Sequence, residues 1–211
     1  MKALILVLML WMPALAAPAF ARSVFIGIDV SKSNPVVIDE ASAKVAGNYV
    51  RGIVAALAPG DEVHIRTFGD RSAAHVESRS IRLGRKHKPE TVAFQIGSYI
   101  ASLPSKPLQG QQETQILAYL ELSQFRCDQN SLVVIVSDAL ESSPGVRQKD
   151  LLAGKPLPPP EPGILKGCEV VIYGLARSKD GAITREQAKS LRASWTAWMN
   201  TAGANFTAIT E

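Results

Sequence analysis

The stretch FIGIDVSKSNP, Phe25 to Pro35, joins an apolar run to an aspartate, two serines on alternate positions and a proline. SVFIGID, residues 23–29, is apolar almost throughout and ends at Asp29, as expected of a strand covered on both faces. From Pro35 the spacing turns helical. Ile38, Ala41, Val45, Tyr49, Ile53 and Leu57 recur at steps of three and four until Pro59-Gly60 closes the segment. Pro35 suits a first helical turn, and Ser33 or Asn34 suits the cap before it. A buried strand that feeds a long helix is the opening unit of an α/β sheet. Asp29, Ser31 and Ser33 lie in its turn.

Outward from this unit the same alternation continues. EVHIRTF (62–68) reads as a strand, and AAHVESRSIRL (73–83) as a second, more exposed one leaving through the basic stretch RLGRKHK. PETVAFQIGSYIASL (89–103) carries a helical stripe at Val92, Ile96, Tyr99 and Leu103, and a helix is predicted from about Glu113 to Phe125. SLVVIVSD (131–138) and CEVVIYGLA (168–176) read as buried strands. A helix with Ala188, Leu191, Trp195 and Trp198 on one stripe follows, the tryptophans read as core, and NFTAIT closes the chain as a strand. Strands alternating with helices of this length predict an α/β fold, a doubly wound, mostly parallel sheet with helices on both faces.

The 211 residues suit one domain with a sizeable core. At 46% hydrophobic and 20% charged, the composition excludes a disordered chain and a multi-span membrane protein. A net charge of +4 permits acidic partners without calling for nucleic acid. MKALILVLMLWMPALAAPAFA, residues 1–21, reads as a secretory signal cleaved after Ala21, because its apolar core is short for a spanning helix. The expected product is residues 22–211, one periplasmic or secreted bacterial domain with no membrane span, carrying a Pro-rich surface insertion at about 141–166. Cys127 and Cys168 are an even pair for an oxidising compartment, so a disulfide is expected, two buried free thiols being the alternative. The basic run Arg79, Arg82, Arg85, Lys86 and Lys88 reads as a solvated loop face.

In a doubly wound sheet, ligands sit beyond the carboxyl ends of the strands, where strand order reverses. Asp29 and Asp138 both end strands there. Thr114 opens the helix that runs into the strand ending at Asp138, so it lies at the same rim. If those two strands are neighbours, Asp29, Ser31, Ser33, Thr114 and Asp138 share one crevice. Two carboxylates and three hydroxyls form an all-oxygen set that suits a hard cation, Mg²⁺ or Mn²⁺. The plainer reading of Asp-Val-Ser-Lys-Ser is a capped helix after a buried strand.

Asp29-Val30-Ser31-Lys32-Ser33, Thr114 and Asp138 resemble the metal-ion-dependent adhesion site of von Willebrand factor A domains, a family that includes the integrin I domains. The resemblance follows the element order of nearly the whole chain after residue 21. It implies a Rossmann-like fold and a binding rather than catalytic role. Ser31 and Ser33 would be direct metal ligands, Thr114 a switchable one, and Asp29 and Asp138 mainly acceptors from metal-bound water. It further implies a protein partner that presents an Asp or Glu to the metal. The chain departs from the family at Ala139-Leu140, where a glycine often follows the last aspartate, and at Glu113, which precedes Thr114 where glycines are usual. Two other functions compete with this one: a structural or assembly component of a bacterial envelope, secretion or conjugation machine with an unoccupied site, and a ribonuclease-H-like nuclease or transposase. IGIDVSK resembles the first strand of the latter, but that fold continues into a hairpin of neighbouring strands.

Overall fold

The structure, a computed structural model, describes residues 21–69, 77–106, 113–127, 131–177 and 183–210. The leader at 1–20 and the first part of the stretch at 73–83 therefore lie outside the described residues. Six strands form one sheet: β1 (Ser23–Asp29), β2 (Glu62–Phe68), β3 (Ser78–Arg82), β4 (Ser131–Val136), β5 (Glu169–Tyr173) and β6 (Asn205–Ile209). Their order is β3-β2-β1-β4-β5-β6. Only the β2–β3 pair is antiparallel. The doubly wound α/β class expected from the alternation of elements is the one observed. Because β2 runs parallel to β1, the hairpin that a ribonuclease-H-like chain needs at this point is absent.

Strand periodicity divides the core. Leu132, Val134 and Val136 of β4 point to one face with Val24, Ile26 and Ile28 of β1. That face is covered by α1 (Pro35–Ile38), α2 (Glu40–Ala55) and α3 (Pro89–Ala101). Val133 and Ile135 point to the other face, under α4 (Ile116–Leu122), α5 (Gln148–Leu152) and α6 (Arg185–Ala202). Both tryptophans of α6 are buried there, as its stripe predicts.

The first helix departs from expectation. A single helix with Ile38, Ala41, Val45 and Tyr49 inward is replaced by two, broken at Asp39. Asp39 takes an extended backbone and its carboxylate accepts from Ser42 N–H at 2.7 Å, so it caps α2 instead of continuing α1. The buried face is Ala43, Ala46, Gly47, Val50 and Val54, while Ile38 and Val45 are exposed. The cause is the crossing with α3. A Cβ on Gly47 would stand 2.5 Å from the carbonyl oxygen of Gly97, so only small residues allow the two helices to approach this closely.

Residues 141–166 lie on the surface but also cover core. Leu151, Leu157 and Leu165 are buried under the second face, with α5 as the only helical turn of the segment. Proline-fixed backbone thus takes the place of a crossover helix. Cys127 and Cys168 are joined by a disulfide with Cα atoms 4.6 Å apart. It ties the chain leaving α4 to the start of β5, at the edge remote from Asp29. Among the described residues no helix is long and apolar enough to cross a membrane.

Candidate metal centre

The strand order places β1 beside β4, and strands on either side of that pair wind away in opposite directions. This is the crevice where ligands of such sheets bind. Asp29 is the last residue of β1, and Asp138 follows β4 by two residues. The turn after β1 is held by Asn34, which caps α1 through its side-chain oxygen. Its Nδ2 donates to the Asp29 carbonyl at 2.7 Å and to the Val136 carbonyl at 3.3 Å. One amide side chain thereby ties the ends of β1 and β4 together and aims the intervening serines over the crevice.

Thr114 arrives from the other face. Gly27 of β1 has no side chain, and a Cβ there would lie 2.6 Å from ring carbons of Tyr119. That gap lets Tyr119 of α4 lie against β1, stacked on Phe68 at 4.7 Å. The loop before α4 then crosses above Ser31. α4 begins at Ile116 rather than near Glu113, so Thr114 sits in the loop and not in the first helical turn.

The five side chains anticipated from sequence come together. Thr114 Oγ1 donates to Ser31 Oγ at 2.8 Å, and Ser31 Oγ and Ser33 Oγ share a hydrogen bond at 3.2 Å. The Ser33 hydroxyl lies beside the Asp138 carboxylate. Asp29 Oδ1 accepts from the Ser31 N–H at 2.8 Å and its Oδ2 from Ser137 Oγ at 2.6 Å. Asp138 Oδ1 accepts from the Leu140 N–H at 3.0 Å, but its Oδ2 is buried with no hydrogen-bond partner. All of these residues except Ser33 are buried, Asp29 and Asp138 completely.

This geometry fits a small divalent cation. Neighbouring ligands of an octahedral Mg²⁺ at ~2.1 Å stand about 3.0 Å apart. The hydroxyl oxygens here stand 2.8 and 3.2 Å apart. The electrostatics point the same way. Burial pushes the Asp138 carboxyl up to about 7, reinforced by the nearby charge of Asp29 and opposed by the Leu140 N–H and Ser33 hydroxyl. Burial also pushes Asp29 up to about 6, against the hydrogen bonds from Ser137 and Ser31. Two adjacent buried carboxylates, one with an orphaned oxygen, lack the counter-charge that such groups require. Among the described residues no three His, Cys, Asp or Glu side chains gather, so an ion here would rely on hydroxyls.

Several supports of the site escaped the sequence reading. Ser137 bridges Asp29 Oδ2 and the Ala139 N–H, at 2.6 and 3.0 Å. Its only sequence signal is its place beside Asp138. Glu141, fully buried, accepts from Leu117 N–H at 3.0 Å and from Ser143 N–H at 2.8 Å. Ser142 Oγ accepts from Thr114 N–H at 2.7 Å, and Ser142 N–H donates to the Thr114 carbonyl at 2.9 Å. The loop after β4 therefore grips the Thr114 loop and the start of α4 through three hydrogen bonds, one to the Glu141 carboxylate and two through Ser142, while Ser143 N–H steadies the carboxylate from within its own loop. Within that grip Ala139 has φ +65°, the left-handed region that favours glycine. It is held there by Trp195, whose Nε1–H donates to the Ala139 carbonyl at 2.9 Å, and by the bond from its own N–H to Ser137. One tertiary and one local hydrogen bond thus hold an alanine in a conformation that glycine adopts more readily.

No protein-family model matches the chain, and no curated protein does. Among solved structures it is similar to an aerotolerance-related membrane protein of Bacteroides fragilis NCTC 9343, crystallised with multiple mutations to serine. The identity is 15% over 86% of this chain and 98% of that one, with a TM-score of 0.43. It is also similar to the conserved hypothetical protein BatB of Bacteroides thetaiotaomicron, at 14% identity over 90% of each chain and a TM-score of 0.45.

Proposed function

We propose that this chain is an exported, non-catalytic binding module of the von Willebrand factor A type, which captures an acidic side chain of a protein partner through Mg²⁺ or Mn²⁺. One observation carries the reading: the buried, unpartnered Oδ2 of Asp138 faces a chain of three hydroxyls spaced like edges of a metal octahedron. Ser31, Ser33 and Thr114 would hold the ion, and Asp29 and Asp138 would accept from its water ligands. Asp29 suits that indirect role because both of its oxygens already serve protein donors. When bound, the ion would supply a positive charge that neutral hydroxyls leave largely uncompensated, and therefore an attraction for an outside carboxylate. Asn34, Ser137, Glu141 and Ser142 act by holding these groups in place before any ion arrives.

Residues 1–21 support an envelope location. The competing function is an envelope or secretion-machine component whose contacts lie elsewhere and whose site takes no ion. Calorimetry with Mg²⁺ and Mn²⁺ separates the two. The proposal expects one-site binding to the native protein and none to Ser31→Ala, with both proteins folded by circular dichroism. Absence of heat and of any thermal shift in the native protein favours the structural role.

A further inference from the structure

A second recognition element lies on the same rim, one strand beyond Asp138. Leu175, Ala176 and Arg177 continue β5 past its carboxyl end, where the Ala176 N–H donates to the Asp138 carbonyl at 2.9 Å. With Lys189 and Arg192 on the outer side of α6 and Thr210 after β6, they line an open cavity of about 380 Å³. Three of its lining side chains are cationic and, among the described residues, none is a carboxylate. No carboxylate among the described residues forms a salt bridge with Arg177, Lys189 or Arg192. Arg192 spends one N–H on the Ala208 carbonyl at 3.0 Å, which fixes its guanidinium over the end of β6 and leaves further donors open. Arg177 lines the cavity and also acts electrostatically on the start of α2. Asp39 there is held below the usual carboxylate range chiefly by Ser42, and Arg177 adds a smaller contribution. Through Ala176, which lines it and bonds the Asp138 carbonyl, the cavity borders the crevice that holds Asp138.

We propose that this cavity binds a second carboxylate of the same acidic partner whose first carboxylate meets the metal, so that the rim reads a pair of acidic residues. The inference rests on the metal-dependent reading of the neighbouring site. Strands are about 4.8 Å apart, which puts the cavity roughly 5–10 Å from Asp138. An extended peptide rises about 3.3 Å per residue with alternate side chains on one side, so acidic residues two apart match the span. Exposed charge pairs are individually weak. Two of them together give an advantage of about fivefold, enough to select a doubly acidic segment over a singly acidic one.

The test titrates the purified protein with two peptides, Ac-Gly-Glu-Gly-Glu-Gly-amide and its Glu-to-Gln partner Ac-Gly-Glu-Gly-Gln-Gly-amide, in saturating Mg²⁺ and in EDTA. Affinity is followed by amide shifts of Ala176 and Arg177. The expected result is about fivefold tighter binding of the di-acid in Mg²⁺. The double variant Lys189→Gln/Arg192→Gln should lose that advantage yet keep its affinity for Mg²⁺ and for the mono-acid. Lys189→Glu, at one exposed position, should reverse the preference and guards against misfolding of the double variant. Equal affinity for the two peptides in Mg²⁺ overturns the second site and leaves the metal reading standing. Mono-acid binding that is indifferent to Mg²⁺ overturns the metal reading, and this proposal with it.

Discussion

Replacing Asp138 with asparagine should stabilise the metal-free protein and remove most of the stabilisation by metal. The carboxyl of Asp138 is raised from 3.8 to about 7 by burial and by the charge of Asp29. Between those values the folded state keeps a proton that the unfolded chain has lost, so stability falls as pH rises and levels off above about 7. At 1.36 kcal/mol for each pH unit, the full interval corresponds to about 4 kcal/mol. Asp29 shares the burden, and relaxation softens it, so about 2 kcal/mol is the gain expected from Asp138→Asn in EDTA at pH 8. For a domain of this size that raises the melting temperature by about 4–8 °C. At pH 3.5 the aspartate is mostly protonated in both states and nearly all of the advantage should be lost. In Mg²⁺ at one hundred times its dissociation constant, the native protein gains about 2.7 kcal/mol. The variant, without the carboxylate that compensates the ion, gains little. Thermal melts of both proteins at pH 3.5 and 8, each in EDTA and in Mg²⁺, read out the pattern. An Asp138→Asn protein less stable than native in EDTA at pH 8, or one that keeps the full Mg²⁺ shift, refutes the metal reading of this pocket.

Three further changes probe the supports. Cys127→Ser should cost about 4 kcal/mol in denaturant unfolding, because the disulfide closes a loop with a sequence separation of 41; metal affinity should not change, since the bridge lies at the opposite edge of the sheet. Gly47→Ala places a Cβ against the Gly97 carbonyl and should destabilise by about 1–3 kcal/mol, measured as a lower midpoint in urea. Glu141→Ala strips acceptors from two N–H groups, Leu117 and Ser143, and should cost about 2–3 kcal/mol while weakening Mg²⁺ binding, because Thr114 rides on the loop it anchors; unchanged calorimetric affinity in a destabilised Glu141→Ala protein contradicts that coupling.

The amino-acid sequence alone determined the alternation of strands and helices, the rim at which Asp29 and Asp138 end their strands, and the place of Ser31 and Ser33 in the turn between β1 and α1. These are local matters: hydrophobic period, a proline at a helix start and a cap are legible within a dozen residues. Which face of α2 turns inward was not, because a 2.5 Å approach between helices demands small side chains where pattern alone favours large ones. Nor was the break at Asp39, where a side-chain hydrogen bond to Ser42 outweighs continuation of the helix. Asn34, Ser137, Glu141 and Ser142 are ordinary polar residues along the chain. They acquire a role only when partners from 24 to 108 residues away are brought within hydrogen-bond reach. Tertiary structure likewise decided that Ala139 takes a left-handed turn, since the Trp195 indole that holds it lies 56 residues further on. Local chemistry can propose an oxygen-lined crevice, but burial and long-range hydrogen bonds decide which oxygens are spent on the protein and which one is left unpaired.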